Sequence, residues 1–157
     1  MPLRLVLLLW LAVAFALGLP HGARAQPPAL MLAGDYRPGI EVDAYFVSEK
    51  RDGVRGRWDG RALWTRGGHR IDVPAWFVAG WPPVAMDGEL WVGRGRFEEV
   101  SGLVRSQRGG DAAWRQVRFM VFDLPGEPGG FGRRLARLQA LLAGAGIAWL
   151  QPVAQRR

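Results

Sequence analysis

The sequence predicts an α+β fold built on antiparallel or mixed sheets. Strand-like runs outnumber helical ones, and the two kinds do not alternate in the regular order of a doubly wound parallel sheet. A hairpin signal, Asp59-Gly60, also separates two of the runs. One domain is the natural reading of 157 residues, since domains usually run to about 100–200. Hydrophobic residues make up 49% and charged residues 22%, a globular balance rather than a disordered one. Eight tryptophans supply bulk for a core, and the absence of cysteine excludes a disulfide framework and a thiolate zinc site.

The first 25 residues read as a secretory signal. Arg4 is a minimal positive start, Leu5 to Leu19 is an apolar run, and Ala23-Arg24-Ala25 is a small-x-small cleavage pattern. The run falls short of the ~20 apolar residues of a membrane span, so we expect cleavage after Ala25, a periplasmic or secreted protein and no stable membrane association; an uncleaved anchor is the alternative. Cleavage removes Arg4 and Arg24 and no acid, taking the net charge from +7 to +5. That remains a basic balance compatible with a phosphate backbone.

Gln26-Pro27-Pro28 then reads as an extended leader, Ala29 to Ala33 as a small apolar stretch, and Tyr36-Arg37-Pro38-Gly39 as a turn. Val42 to Ser48 is rich in strand formers. Val54 to Trp58 and Arg61 to Thr65 form the expected hairpin, and Gly67-Gly68 turns the chain into a short strand over Arg70 to Val73. Pro74 to Pro83, with Trp76, Phe77 and Trp81, reads as a bulky surface-packed loop with one helical turn. Val84 to Val92 predicts a strand, and Phe97 to Arg105 a short helix with Phe97, Val100 and Val104 in register. Arg115 to Leu124 alternates and then turns wholly apolar, as a central strand does. Phe131 to Ala143 is the clearest helix, with Phe131, Leu135, Leu138 and Leu142 on one face, arginines on the other, and Gly144 and Gly146 as stops. Ile147 to Leu150 begins a last strand.

Twenty of the 21 basic residues are arginine, leaving Lys50 as the only lysine. Arginine stays protonated, whereas a lysine amine can lose its proton and act as a nucleophile. Lys50-Arg51-Asp52-Gly53-Val54-Arg55 fits the pattern Lys-x-Asp-Gly-x-Arg. In the superfamily that this motif resembles, the covalent nucleotidyltransferases, Asp52 would be suited to hold the amine or a metal-bound water, Gly53 to let the backbone turn close to a nucleotide, and Arg55 to reach ribose or phosphates with its forked donors. A charged strand–turn–strand with solvated ends accounts for the same residues in isolation.

This pattern resembles that of the covalent nucleotidyltransferases: DNA ligases, RNA ligases and mRNA capping enzymes. Asp87-Gly88-Glu89-Leu90-Trp91 is similar to the superfamily's second signature, and Phe119-Met120-Val121-Phe122-Asp123 to its third. By that resemblance Glu89 contacts the nucleotide sugar or organises the metal, Phe122 stacks on adenine, and Arg66 helps read the nick phosphate. Taken singly, a solvated glutamate, a core aromatic and a strand-end arginine explain them as well. Val47-Ser48-Glu49-Lys50, Pro74-Ala75-Trp76-Phe77 and Gly93-Arg94-Gly95-Arg96-Phe97 with Ser101-Gly102 look like the small bacterial DNA ligases that carry a secretory signal.

The resemblance implies the N-terminal part, residues 26–157, of an ATP-grasp-like ligase adenylation domain. It further implies ATP and Mg2+ as cofactors, nicked double-stranded DNA as partner and a monomer. A Glu-Gly signature, a signature with two lysines and an OB domain, all found in that family, cannot be placed in these residues. We therefore expect little or no turnover and unpaired sheet edges, with a non-catalytic remnant or DNA-binding fragment as the alternative. An RNA ligase or capping-type enzyme is the rival within the superfamily. The arginine face at Arg133, Arg134 and Arg137 is either a DNA contact or simply a solvated surface.

Overall fold

The computed structural model describes residues 30, 32, 37–106 and 110–157. The expected signal, the Gln26-Pro27-Pro28 leader and part of the Ala29 to Ala33 stretch lie outside these. Six strands form one mixed sheet in the order β4-β3-β2-β5-β6-β7: β2 is Val54–Trp58, β3 Leu63–Thr65, β4 Arg70–Ile71, β5 Met86–Trp91, β6 Arg118–Asp123 and β7 Leu150–Pro152. Neighbours are antiparallel except β6 and β7. That parallel pair is joined through the 15-residue helix Phe131–Ala145, because parallel neighbours need a long crossover. The strand, the helix and the start of the last strand were each expected from the sequence; the parallel pairing that joins the two strands was not.

The predicted hairpin is present with its turn moved by one residue. Trp58 pairs with Leu63, so Gly60 and Arg61 occupy the tip. Asp59 fixes it: its Oδ1 accepts the Arg61 and Ala62 amides, both at 2.8 Å, and its Oδ2 accepts the Trp64 indole N–H at 2.7 Å. Gly60 supplies a positive φ of 97°, which is costly for other residues.

The continuous strand expected over Val42 to Ser48 is corrected. Val42–Ala44 is a 3-10 turn and only Val47–Ser48 (β1) is a paired strand. It pairs with β8, Gln155–Arg156, in a separate two-stranded sheet. Strand formers such as Val42 and Tyr45 are largely exposed here, so burial does not reward an extended conformation.

The helices are α1, Ala75–Val78; α2, Phe97–Ser106; α3, Asp111–Trp114; and α4, Phe131–Ala145. Leu135, Leu138 and Leu142 of α4 are buried as their spacing predicts, and Gly146 ends the helix in the left-handed conformation at φ 63°. On α2 only Val100 is fully buried; Phe97 remains exposed.

The Pro74 to Pro83 segment is not surface-packed. Phe77 and Trp81 are core residues, and the Trp81 ring stacks on Phe119 at 5.1 Å and 11°. The space for this comes from two paired glycines, Gly56 and Gly88, over which the Phe119 ring lies: a Cβ at either would meet it at 3.2 or 3.0 Å. Core residues from the strands (Trp58, Leu63, Met86, Leu90, Phe119, Val121) and from all four helices join in one cluster. Because side chains alternate along a strand, the opposite face of the sheet carries Arg55, Arg57, Asp87 and Glu89.

Candidate functional site

Strands β2 and β5 build the charged face. Their register sets Arg55 directly opposite Glu89 and Arg57 opposite Asp87. The Arg55 guanidinium nevertheless reaches diagonally, donating from Nε to Asp87 Oδ1 at 3.1 Å and from Nη2 to Oδ2 at 2.6 Å. Such a fork on a carboxylate is both strong and directional. Burial pushes the Asp87 carboxyl above its ordinary value, against the downward pull of Arg55, while Asp87 raises Arg55.

With Arg55 turned to Asp87, Glu89 Oε1 accepts the Gly53 amide at 3.1 Å. Burial pushes Glu89 up; the Gly53 amide and the charge of Arg55 offset part of this, and the charges of Asp87 and Asp52 add to the rise. Gly53 has a reason to be glycine that the sequence reading did not contain. A Cβ there would run into the Leu90 carbonyl of the neighbouring strand. The close approach that the structure displays is therefore between two strands.

Phe122 occupies a special position. Asp87 pairs with Asp123 and Gly88 with Val121, so the register shifts between them and Phe122 is the extra residue of a β-bulge. Bulges re-aim a side chain out of the regular pleat. The half-buried Phe122 ring lies 5.3 Å from the Arg55 guanidinium carbon. Its neighbour Asp123 is buried and held by Arg134 of α4 at 2.7 and 3.1 Å. That pair commits one of the three arginines on the predicted cationic helix face to a structural contact.

Lys50 and Asp52 are exposed in the segment between β1 and β2. Among the described residues no hydrogen bond or ion pair engages the Lys50 amine. The segment itself is tethered on both sides of Lys50. Glu49 forms a two-pronged pair with Arg94 at 2.6 and 2.9 Å, and the Arg51 guanidinium lies 4.5 Å from the centre of the Trp91 ring. Three chain steps take Lys50 to Gly53, a distance of at most about 11 Å. Arg66 is exposed in the turn that follows β3.

Arg55, Glu89 and Phe122 are thus brought together, with Asp52 close enough for its charge to act on Glu89. Lys50 and Arg66 are exposed, and among the described residues no contact ties either to the group. The role of Asp87, the residue that holds Arg55, was not assigned from the sequence. Its signal was position: two residues before Glu89 on a strand, it shares that face.

No family model matches the chain. A DNA ligase of Haemophilus influenzae is 42% identical over 113 residues, covering 72% of this chain and 41% of the relative. Among solved structures, one described as a structure-function analysis of Lig E DNA ligases, concerned with DNA binding with a minimal scaffold, matches with a TM-score of 0.76. It is 43% identical and covers 81% of this chain and 50% of that one.

The chain resembles part of a small bacterial DNA ligase. It spans half or less of each of these ligases. The likeness to the Lig E ligase structure also supports the α+β architecture of the described residues.

Among the described residues, no group of three or more His, Asp or Glu is arranged to hold a metal ion. A magnesium ion bound with a nucleotide does not need such a group, since it uses one or two carboxylates together with substrate phosphates. The half-buried Glu89 carboxylate, with Asp52 nearby, meets that smaller requirement. No described helix is long and apolar enough to cross a membrane.

Proposed function

We propose that this chain is the lysine-bearing part of an ATP-dependent DNA ligase that seals nicks through a lysyl-AMP intermediate. The observation that carries the reading is the convergence of Arg55, Glu89 and the bulged Phe122 on one sheet face, beside the tethered segment that holds the chain's only lysine. The likeness to DNA ligases supports it.

In this reading the neutral Lys50 amine attacks the α-phosphorus of ATP. A P–N bond forms, the α–β phosphoanhydride bond breaks, pyrophosphate leaves, and the amine proton passes to solvent. AMP then moves to the 5′-phosphate at a nick, and the 3′-hydroxyl displaces it to join the strand. Phe122 stacks on the adenine ring, Arg55 faces the sugar or phosphates from its seat on Asp87, and Glu89 takes a sugar hydroxyl or a metal ligand. Asp52 orients the lysine amine, and Arg66 meets the nick phosphate. Glu89, together with the nucleotide phosphates, would hold a magnesium ion, which would supply charge neutralisation at the transferring group.

The proposal extends to an exported monomer, cleaved after Ala25, acting on nicked double-stranded DNA. The decisive preparation is the Haemophilus influenzae relative with its matching stretch replaced by that of this chain. It is expected to seal nicked duplex DNA with ATP and magnesium, and to lose at least about a hundredfold in rate on Lys50→Ala. Preferential sealing of nicked RNA sinks the DNA assignment.

A further inference from the structure

Trp76, Trp114 and Trp149 meet Arg115, Arg118 and Ala148 around an open groove of about 470 Å3. It lies at the Arg118 end of β6, about 13 Å along the strand from Phe122. The Trp76 and Trp149 rings meet edge to face at 5.4 Å and 83°. The Arg115 guanidinium lies 5.3 Å from the Trp76 ring centre. Arg118 is steadied at the rim by its Nη1, 3.4 to 3.5 Å from the carbonyls of Arg115, Gln116 and Val117. Trp149 is fixed by its indole N–H donating to the Phe77 carbonyl at 2.7 Å. The Trp76 indole N–H is buried with no acceptor among the described residues.

Two guanidiniums and no carboxylate line this groove, so its charge selects an anion. Its indoles select something flat as well, because every nucleobase offers a π-face on which tryptophan stacks. An acidic peptide satisfies the first feature and leaves the second unused. The groove is also joined to the Lys50 segment through the loop after β5: Arg94 holds Glu49, and Arg96 donates to Gln116 at 2.8 Å, beside Arg115.

We propose that this groove binds a single-stranded segment of nucleic acid, with phosphates against Arg115 and Arg118 and a base against Trp149 and Trp76. It shares with the reading above only the class of partner and does not require Lys50 to be a nucleophile.

Fluorescence anisotropy of the full chain with a short fluorescein-labelled oligothymidylate, titrated over a range of salt, tests it. The double change Arg115→Ala with Arg118→Ala is expected to weaken binding about tenfold and to lower the salt slope by about 1.4, at ~0.7 per phosphate contact on a single strand. The same charge loss at Arg61→Ala with Arg70→Ala, beyond the far side of the sheet, is expected to change affinity less than about twofold. Trp149→Leu is expected to weaken binding about tenfold while Trp149→Phe, which keeps a stacking ring, retains most of it. If Trp149→Leu unfolds, the arginine pair and the Phe variant decide. Equal losses in both arginine pairs, or no oligonucleotide binding at low salt, overturn the proposal. So does displacement of the oligonucleotide by polyglutamate as readily as by unlabelled oligothymidylate. An AMP adduct on some residue other than Lys50 refutes the ligase chemistry and leaves the groove standing.

Discussion

Glu89 is pulled two ways: burial disfavours its charge, and one backbone amide steadies it. Because its folded pKa lies above the ordinary 4.5, its protonation favours the folded state. That contribution is fully present below the ordinary value and is lost as pH rises through the elevated one. Glu89→Gln keeps an oxygen for the Gly53 amide and removes the titration. Urea unfolding measured from about pH 4 to pH 8 is therefore expected to show the wild type losing ground to Glu89→Gln as pH rises; parallel curves contradict this. At this scale Lys50, Asp52, Arg55, Glu89 and Phe122 were all legible as residue types in a motif. That Arg55 is seated on Asp87 was not, because the diagonal contact depends on a β2–β5 register that one strand does not reveal.

Strands β5 and β6 show how an element's sequence serves two faces. Gly88 sits between Asp87 and Glu89 of the charged face, yet its own requirement comes from the core. An added Cβ would lie 2.7 Å from the Met120 carbonyl and 3.0 Å from the Phe119 ring. The backbone oxygen cannot swing away as a side chain can. Gly88→Ala is therefore expected to destabilise the fold by about 1–3 kcal/mol, read as a lower urea midpoint. An unchanged midpoint means that the strands separate at little cost. Runs of strand formers and turn signals made β2, β3, β5 and β6 legible, and helical spacing made α4 legible, since Leu135, Leu138 and Leu142 are buried together. The strand over Val42 to Ser48 failed because propensity there has no burial behind it, and α3 was missed because four residues carry too little periodicity. The bulge at Phe122 left no trace in the pattern, since register is a property of two strands.

On the scale of the whole molecule, the six-stranded sheet separates support from chemistry. Its aromatic core, with Phe77, Trp81 and Phe119 packed together, fixes the strands, and the opposite face presents the charged groups. The α+β class was readable from the order of the runs; the small sheet that ties β1 to β8 was not, because its partners lie more than a hundred positions apart. That pairing anchors the segment entering Lys50 from one side, while Gly53 anchors it from the other. The decisive property of the molecule is whether the amine between those anchors accepts AMP. Peptide-resolved mass spectrometry of the relative carrying this chain's stretch, after incubation with ATP and magnesium, answers it directly. An AMP adduct on the peptide that holds Lys50, absent from Lys50→Ala, is the predicted result. An adduct that survives the substitution, or that maps to a different residue, contradicts the account.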